Sequence, residues 1–277
     1  MINEKDFQIA LDEVIKDDDE VIVLYSGIYS FIHNLKFNLK STNQLSNKIL
    51  KLIEKKVGKK RTLFLPSFTG KFYNKHGFYD IKKSIDDSNG VLSKIALKNN
   101  YFRTHQPIHS YLVYGNTSNI KKLKLISSWG KKSILEFFSN KNARICNLGM
   151  PWNKGCAYLH RFEEIYNVPW RYSKKFYCDL KKNGNKIGKC SEIKFCSSIN
   201  VALKYDYFPL IKEIENSKSF CKSSNKKFKF ESIKVKCLNK IGKRVFSKNP
   251  WMIIKNKKQT KKWIKFEKKN EMLKLKI

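Results

Sequence analysis

Five apolar residues in a row, Val21-Ile22-Val23-Leu24-Tyr25, stand between an acidic break at Asp17-Asp18-Asp19 and the small polar pair Ser26-Gly27. A strand with one wet face alternates polar and apolar side chains. An unbroken apolar run of this length reads as a strand covered on both faces. The chain must therefore build an interior sheet and supply helices to cover it. Both are legible nearby. Phe7, Leu11, Val14 and Ile15 recur at helical spacing before the run, and Leu45, Ile49, Leu52 and Ile53 do so after it, with Gly58 placed to end the second helix. Thr62-Leu63-Phe64-Leu65 follows as a short strand stopped by Pro66. The order strand, turn, helix, strand points to an α/β fold.

The pattern continues with a short helix over 90–97, a strand over 111–114 ending at Gly115, a short helix over 133–138, and a strand over 144–148 before the turn Gly149-Met150-Pro151. A helix over 156–166 is expected next, closed by Asn167 and Pro169. Beyond it the chain reads as strand-rich, over 172–180, 192–196 and 233–237, with a helix around 210–214. The stretch 254–277 holds ten lysines against two glutamates and reads as a basic helix or a loose tail. No internal repeat or convincing linker is present.

Charge narrows the partners. The formal net charge is +35, and only six of the 58 basic residues are arginine. Such a field draws anions of any kind: nucleic acid, an acidic membrane surface or a phosphorylated small molecule. The Lys-, Asn- and Ile-rich composition also fits a nucleotide bias in the coding genome. Aromatic residues are not interleaved with base-reading groups and no recognised motif appears, so no specific nucleic acid is expected. Peripheral contact with an anionic membrane and a homodimer both stay open.

Seven cysteines, an odd number without Cys-x-x-Cys spacing, make a poor zinc signature and a poor disulfide framework. They fit small buried apolar groups in a reducing cytoplasm, and no metal is expected. No apolar stretch approaches a membrane span, and the mixed-charge start Met1-Ile2-Asn3-Glu4-Lys5-Asp6 is not a secretory signal.

Three segments offer chemistry. In His160-Arg161-Phe162-Glu163 the two ends are three apart, so on a helix they share a face. A carboxylate beside an imidazole raises its basicity and fixes its tautomer, which makes a general base. Most such pairs are solvent-facing. The segment Phe102-Arg103-Thr104-His105-Gln106-Pro107-Ile108-His109-Ser110 gathers groups that hold phosphate or amide oxygens, although an ordinary polar loop has the same composition. Tyr25-Ser26-Gly27 ends the first strand, where ligands of α/β sheets gather, and is otherwise a tight turn. Cys156 lies four residues before His160 and offers a thiol–imidazole pair as a rival mechanism.

In order and spacing these segments resemble the aminoglycoside 3-N-acetyltransferase family. Arg103, Pro107, Ser110 and Gly115 match its Arg-Ser-x-His-Pro-x-x-Ser segment and the strand after it, with Thr104 for Ser and Gln106 for His. Trp129-Gly130-Lys131-Lys132-Ser133-Ile134-Leu135 matches its Gly-rich helix start without the proline. Leu148-Gly149 matches the end of a strand, and Leu159, His160 and Glu163 match Asn-Thr-x-Leu-His-x-x-Glu, with Cys156-Ala157 in place of Asn-Thr. Val168-Pro169-Trp170-Arg171 matches Val-Pro-Tyr-Arg.

The resemblance runs loosely over 5–256 and implies a single mixed α/β domain over 1–256, a central sheet flanked by helices, with 257–277 as a Lys-rich tail. It implies an N-acetyltransferase that uses acetyl-CoA, without a metal or a covalent enzyme intermediate. His160 would act as base, Glu163 would hold it, and Ser26, Arg103, Thr104 and Ser110 would contact the coenzyme. A protein this basic should repel polycationic drugs unless its pocket is locally acidic. On charge alone the expected acceptor is a nucleotide-linked amino sugar or another anionic glycan precursor, in surface-polysaccharide biosynthesis. Acetylation of aminoglycoside antibiotics, as in resistance, is the alternative.

Overall fold

The apolar run forms strand β1 (Val21–Ser26) of a computed structural model, which describes residues 3–35, 37, 41–85, 90–197 and 202–269. The other strands are β2 (Thr62–Pro66), β3 (Phe78–Asp80), β4 (Phe102–Arg103), β5 (Tyr111–Gly115), β6 (Arg144–Leu148), β7 (Arg171–Lys182), β8 (Asn185–Ser197), β9 (Cys221–Lys222) and β10 (Phe230–Lys234). Seven of them form one sheet in the order β4-β5-β2-β1-β6-β10-β9. β1 lies at its centre, parallel to β2 and β6, while β5 and β10 run antiparallel to their neighbours.

The unbroken apolar run has a simple cause. Val21, Val23 and Tyr25 enter one core and Ile22 and Leu24 the other, because successive side chains of a strand face opposite ways. Helices Glu4–Val14, Thr42–Val57 and Val91–Lys98 cover the second face. Helices Ile134–Asn140, Leu159–Ile165, Phe208–Glu215 and Val235–Lys248 cover the first. Each fully buried aliphatic side chain contributes about 1.5–3 kcal/mol. The result is a mixed α/β fold with helices on both faces of a central sheet.

β3, β7 and β8 make a second sheet. β7 and β8 form a long hairpin whose two-residue turn, Asn183-Gly184, has φ values of 55° and 94°. Two left-handed residues in succession suit the twist of a tight hairpin, which explains the Asn-Gly pair.

Several local readings change. The helix expected over 156–166 starts at Leu159, and Cys156 instead ends a separate short turn, Trp152–Gly155. The strand expected over 233–237 stops at Lys234, and the next residues open helix Val235–Lys248. Val235, Leu238, Ile241, Gly242 and Val245 are buried at helical spacing, and a run of only three decisive residues hid that period. Gly242 lets this helix close on the site helix, since a Cβ there would sit 2.3 Å from the Phe162 ring.

The Lys-rich end takes the helical one of its two expected forms. It forms helix Lys257–Lys269, which buries Thr260, Ile264 and Glu267 and sets Ile264 into the main core. It is continuous with the domain as far as it is described, and 270–277 lie outside the described residues. Among the described residues no helix is long and apolar enough to cross a membrane.

Candidate active site

The carboxyl ends of β2 and β6 and the start of β7 open onto a cavity of about 720 Å³. Phe68 and Gly70 reach it from the chain after β2, Trp152 to Ala157 from the chain after β6, and Arg171, Tyr172, Lys174 and Phe176 from β7. His160 lies in its wall on helix Leu159–Ile165, with its side chain 29% exposed. Glu163 is on the same helix, fully buried, and its Oε1 accepts a hydrogen bond from His160 Nδ1 at 2.7 Å. The three-residue spacing thus does what the sequence suggested, bringing the two groups to one side of the helix.

Glu163 is a hub. Tyr207 Oη also donates to Oε1, at 3.0 Å. Arg171 Nε, Trp170 Nε1 and Tyr205 Oη donate to Oε2, the latter two at 3.2 and 3.0 Å. Burial alone would raise the carboxyl's pKa. The His160 and Arg171 interactions outweigh burial and hold it down at about 2. Glu163 is therefore ionised at any working pH and can only accept. It follows that His160 carries its proton on Nδ1, which leaves Nε2 as the basic lone pair at the cavity.

The imidazole is also fixed by packing. Trp129 stacks on it at 4.8 Å, and Tyr205 and Tyr207, stacked on each other at 5.2 Å, meet it edge-on. Arg171 lies over Trp129 at 4.9 Å. A base whose tautomer and orientation are both set can take a proton without reorganising its surroundings.

This hub makes an acid-stability prediction. A carboxyl with a depressed folded pKa stabilises the fold above its unfolded value and loses that contribution as pH falls through the folded one. For Glu163 the window runs from the ordinary value of 4.5 down to about 2. We expect wild type to lose on the order of 2–3 kcal/mol across it from this group. Thermal melts between pH 6 and pH 3 should fall more steeply for wild type than for Glu163→Gln. Equal slopes would mean that the carboxylate is not held ionised.

Cys156 lines the cavity but is poorly suited to act as a nucleophile. It is 5% exposed, burial pushes its thiol up to about 12, and it lies outside the His160 helix. The shared-face argument for the pair fails with the helix start.

The residues expected at the coenzyme lie outside the lining of this cavity. Arg103 is 4% exposed, and its guanidinium donates to the carbonyls of Ser84 and Ser67 and to Ser110 Oγ. Ser110 Oγ donates to the Ser67 carbonyl, and Thr104 Oγ1 accepts from the Tyr111 backbone N–H. Arg103, Thr104 and Ser110 thus tie β4, β5 and the chain after β2 together, and none of them lines the His160 cavity. Ser26 ends β1 against Gly90, also outside the cavity lining. Gln106 is buried and donates to the Ser127 carbonyl.

Cations come from elsewhere. Lys71, Lys154, Lys174 and Lys194 line the cavity, and no carboxylate does among the described residues. These lysines fit a coenzyme whose phosphates are anionic, and sequence reading missed them among so many others. Arg171 was visible as the end of a motif. Tyr205 and Tyr207 gave no signal beyond two tyrosines one residue apart. A neighbouring pocket of about 510 Å³ shares Trp152, Asn153 and Tyr207 with this cavity. It carries three carboxylates, Asp206, Glu215 and Glu231, against Lys229 and Lys255.

A lysine-lined cavity beside a histidine held by an ionised carboxylate is an arrangement for proton removal next to an anionic co-substrate. The model of the aminoglycoside 3-N-acetyltransferase family matches residues 37–225, and the chain belongs to that family. It is an acetyl-CoA-dependent N-acetyltransferase. No curated protein matches it by sequence. Solved structures share its fold. The YokD protein of Bacillus subtilis aligns with a TM-score of 0.68 at 11% identity, over 89% of this chain and 93% of its own. The acetyltransferase AAC-IIIb, solved with CoASH, aligns with a TM-score of 0.70 at 16% identity, over 89% and 97%. AAC-VIa, solved with sisomicin, aligns with a TM-score of 0.68 at 9% identity, over 88% and 97%.

Proposed function

We propose that this chain acetylates an amino group of a polycationic, aminoglycoside-type sugar, with His160 as general base and Glu163 as its ionised partner. Acetyl-CoA supplies the activated acetyl group. An alkylammonium is not a nucleophile, so one proton must leave before the amine attacks, and His160 Nε2 is the lone pair available for it. The lysines of the cavity suit the coenzyme's phosphates.

The observation that carries the choice of acceptor is the carboxylate pocket next door. The charge argument for a nucleotide-linked sugar holds only if the acceptor site shares the basic field of the whole molecule. Asp206, Glu215 and Glu231 supply the local exception, at a pocket that shares Tyr207 with the His160 cavity. A solved relative's complex with sisomicin is consistent with a cationic acceptor. The reading of surface-polysaccharide biosynthesis keeps only the net charge of +35 in its support.

Thiol release from acetyl-CoA, measured with a panel of aminoglycosides and nucleotide-linked amino sugars, tests this directly. We expect turnover of an aminoglycoside with kcat/KM of about 10⁴ M⁻¹s⁻¹ or more. Asp206→Asn with Glu215→Gln should raise its KM by roughly 10-fold while leaving that for acetyl-CoA near wild type. Turnover of nucleotide-linked sugars alone would reverse the assignment.

A further inference from the structure

The His160 cavity holds a second histidine in its wall. His109 precedes β5, and its ring centroid is 5.5 Å from Trp129, the same indole that stacks on His160. Its partner is Glu192 of β8, which is fully buried. Glu192 Oε1 accepts from His109 Nδ1 at 2.8 Å and from Ser128 Oγ at 2.6 Å. Oε2 accepts from the backbone N–H groups of Ile108 and His109, at 2.8 and 3.1 Å. Burial would push this carboxyl up, but the interactions with His109, Ser128 and Ile108 hold it below the ordinary range. An ionised carboxylate cannot donate, so the ring proton sits on Nδ1 and Nε2 is an acceptor lone pair.

The two histidines are therefore not equivalent. His109 has an 11% exposed side chain, against 29% for His160. Burial, partly opposed by Glu192, lowers the basicity of His109. A neutral imidazole of this kind holds a donor in place without taking its proton. We infer that His109 is a second substrate-contacting residue, whose Nε2 accepts a hydrogen bond from an N–H or O–H of the acceptor sugar and so selects which amine meets His160. This rests on the amino-sugar acceptor proposed above. The amide N–H groups of the coenzyme offer the same chemistry, and the Michaelis constant that moves tells the two apart.

Glu192→Gln isolates the effect. The two backbone N–H groups need an acceptor, so the glutamine carbonyl takes the Oε2 position and its NH₂ turns to His109 Nδ1. That drives the ring proton to Nε2 and converts the acceptor into a donor with little change in volume. His109→Phe removes the acceptor, and His109→Gln restores one.

The test is steady-state kinetics of wild type and these variants on one aminoglycoside, with ¹⁵N imidazole NMR of the histidines. We expect His109→Phe and Glu192→Gln to raise the acceptor KM by roughly 10-fold, with KM for acetyl-CoA within about twofold of wild type. His109→Gln should recover part of the loss. NMR should place the His109 proton on Nδ1 in wild type and on Nε2 in Glu192→Gln. If His109→Phe does not fold, Glu192→Gln and the tautomer decide. An unmoved acceptor KM in the folded variants, or a rise confined to acetyl-CoA, overturns the inference. So does a wild-type His109 protonated on Nε2, which can be read without turnover. Failure of wild type to acetylate any aminoglycoside would instead remove the proposed acceptor.

Discussion

His160→Ala is expected to lower turnover by about 100-fold or more while acetyl-CoA still binds. Of the two carboxylate-backed imidazoles in the cavity wall, His160 is the more exposed, 29% against 11% for His109, and its Nδ1 lies 2.7 Å from Glu163 Oε1. Removing it leaves the amine protonated, with only water and the less basic His109 to take the proton. The lysines of the cavity are untouched, so KM for acetyl-CoA should stay close to wild type. Glu163→Gln should cost less in turnover, since the imidazole remains and only its orientation and basicity suffer. The check is turnover of both variants on one good acceptor, with coenzyme binding measured separately. Near-normal turnover in His160→Ala with binding intact would move the base elsewhere, to His109 first.

Arg103→Ala should act on the fold and not on the coenzyme. Its guanidinium, 4% exposed, satisfies two carbonyls and a hydroxyl that water cannot reach. Alanine strips the Ser84 carbonyl and the Ser110 hydroxyl of this donor and leaves the Ser67 carbonyl only Ser110 Oγ, at a cost of about 3 kcal/mol, which corresponds to a Tm lower by roughly 6–10 °C. The protein that remains folded should keep its KM for acetyl-CoA. A raised KM with an unchanged Tm would restore the phosphate contact that the motif suggested.

These two residues show what the sequence can carry. A buried strand declares itself through an apolar run, and β1, β2 and β5 were legible in that way, while β6 was legible although Arg144 and Asn147 interrupt its run. His160 and Glu163 were legible because helical spacing fixes their relation over a single turn. Arg103 was visible as a residue type in a motif, but its destination depends on Ser67 and Ser84, far away in sequence. The Glu192 partner of His109 was hidden for the same reason, since 83 residues separate them. A lone glutamate in a lysine-rich strand was its only trace. The helix over 235–248 was missed because Ile233, Val235 and Cys237 alternate with lysines as in a strand, which drew its first turn into the preceding strand. The acidic pocket was missed because net charge averages over a surface and says nothing about one wall of it.

The hub at Glu163 also has a consequence for how the protein is made. Its donors come from the stretch around 160, from 170–171 and from 205–207. A ribosome that has released the chain as far as the end of β8 has delivered both His160 and Glu163 but neither Tyr205 nor Tyr207. The nascent domain then contains a carboxylate two donors short and an imidazole without its edge-on neighbours. Domains generally fold as units, and the central sheet itself takes β10 from 230–234, so competence for catalysis arrives only with the last third of the chain.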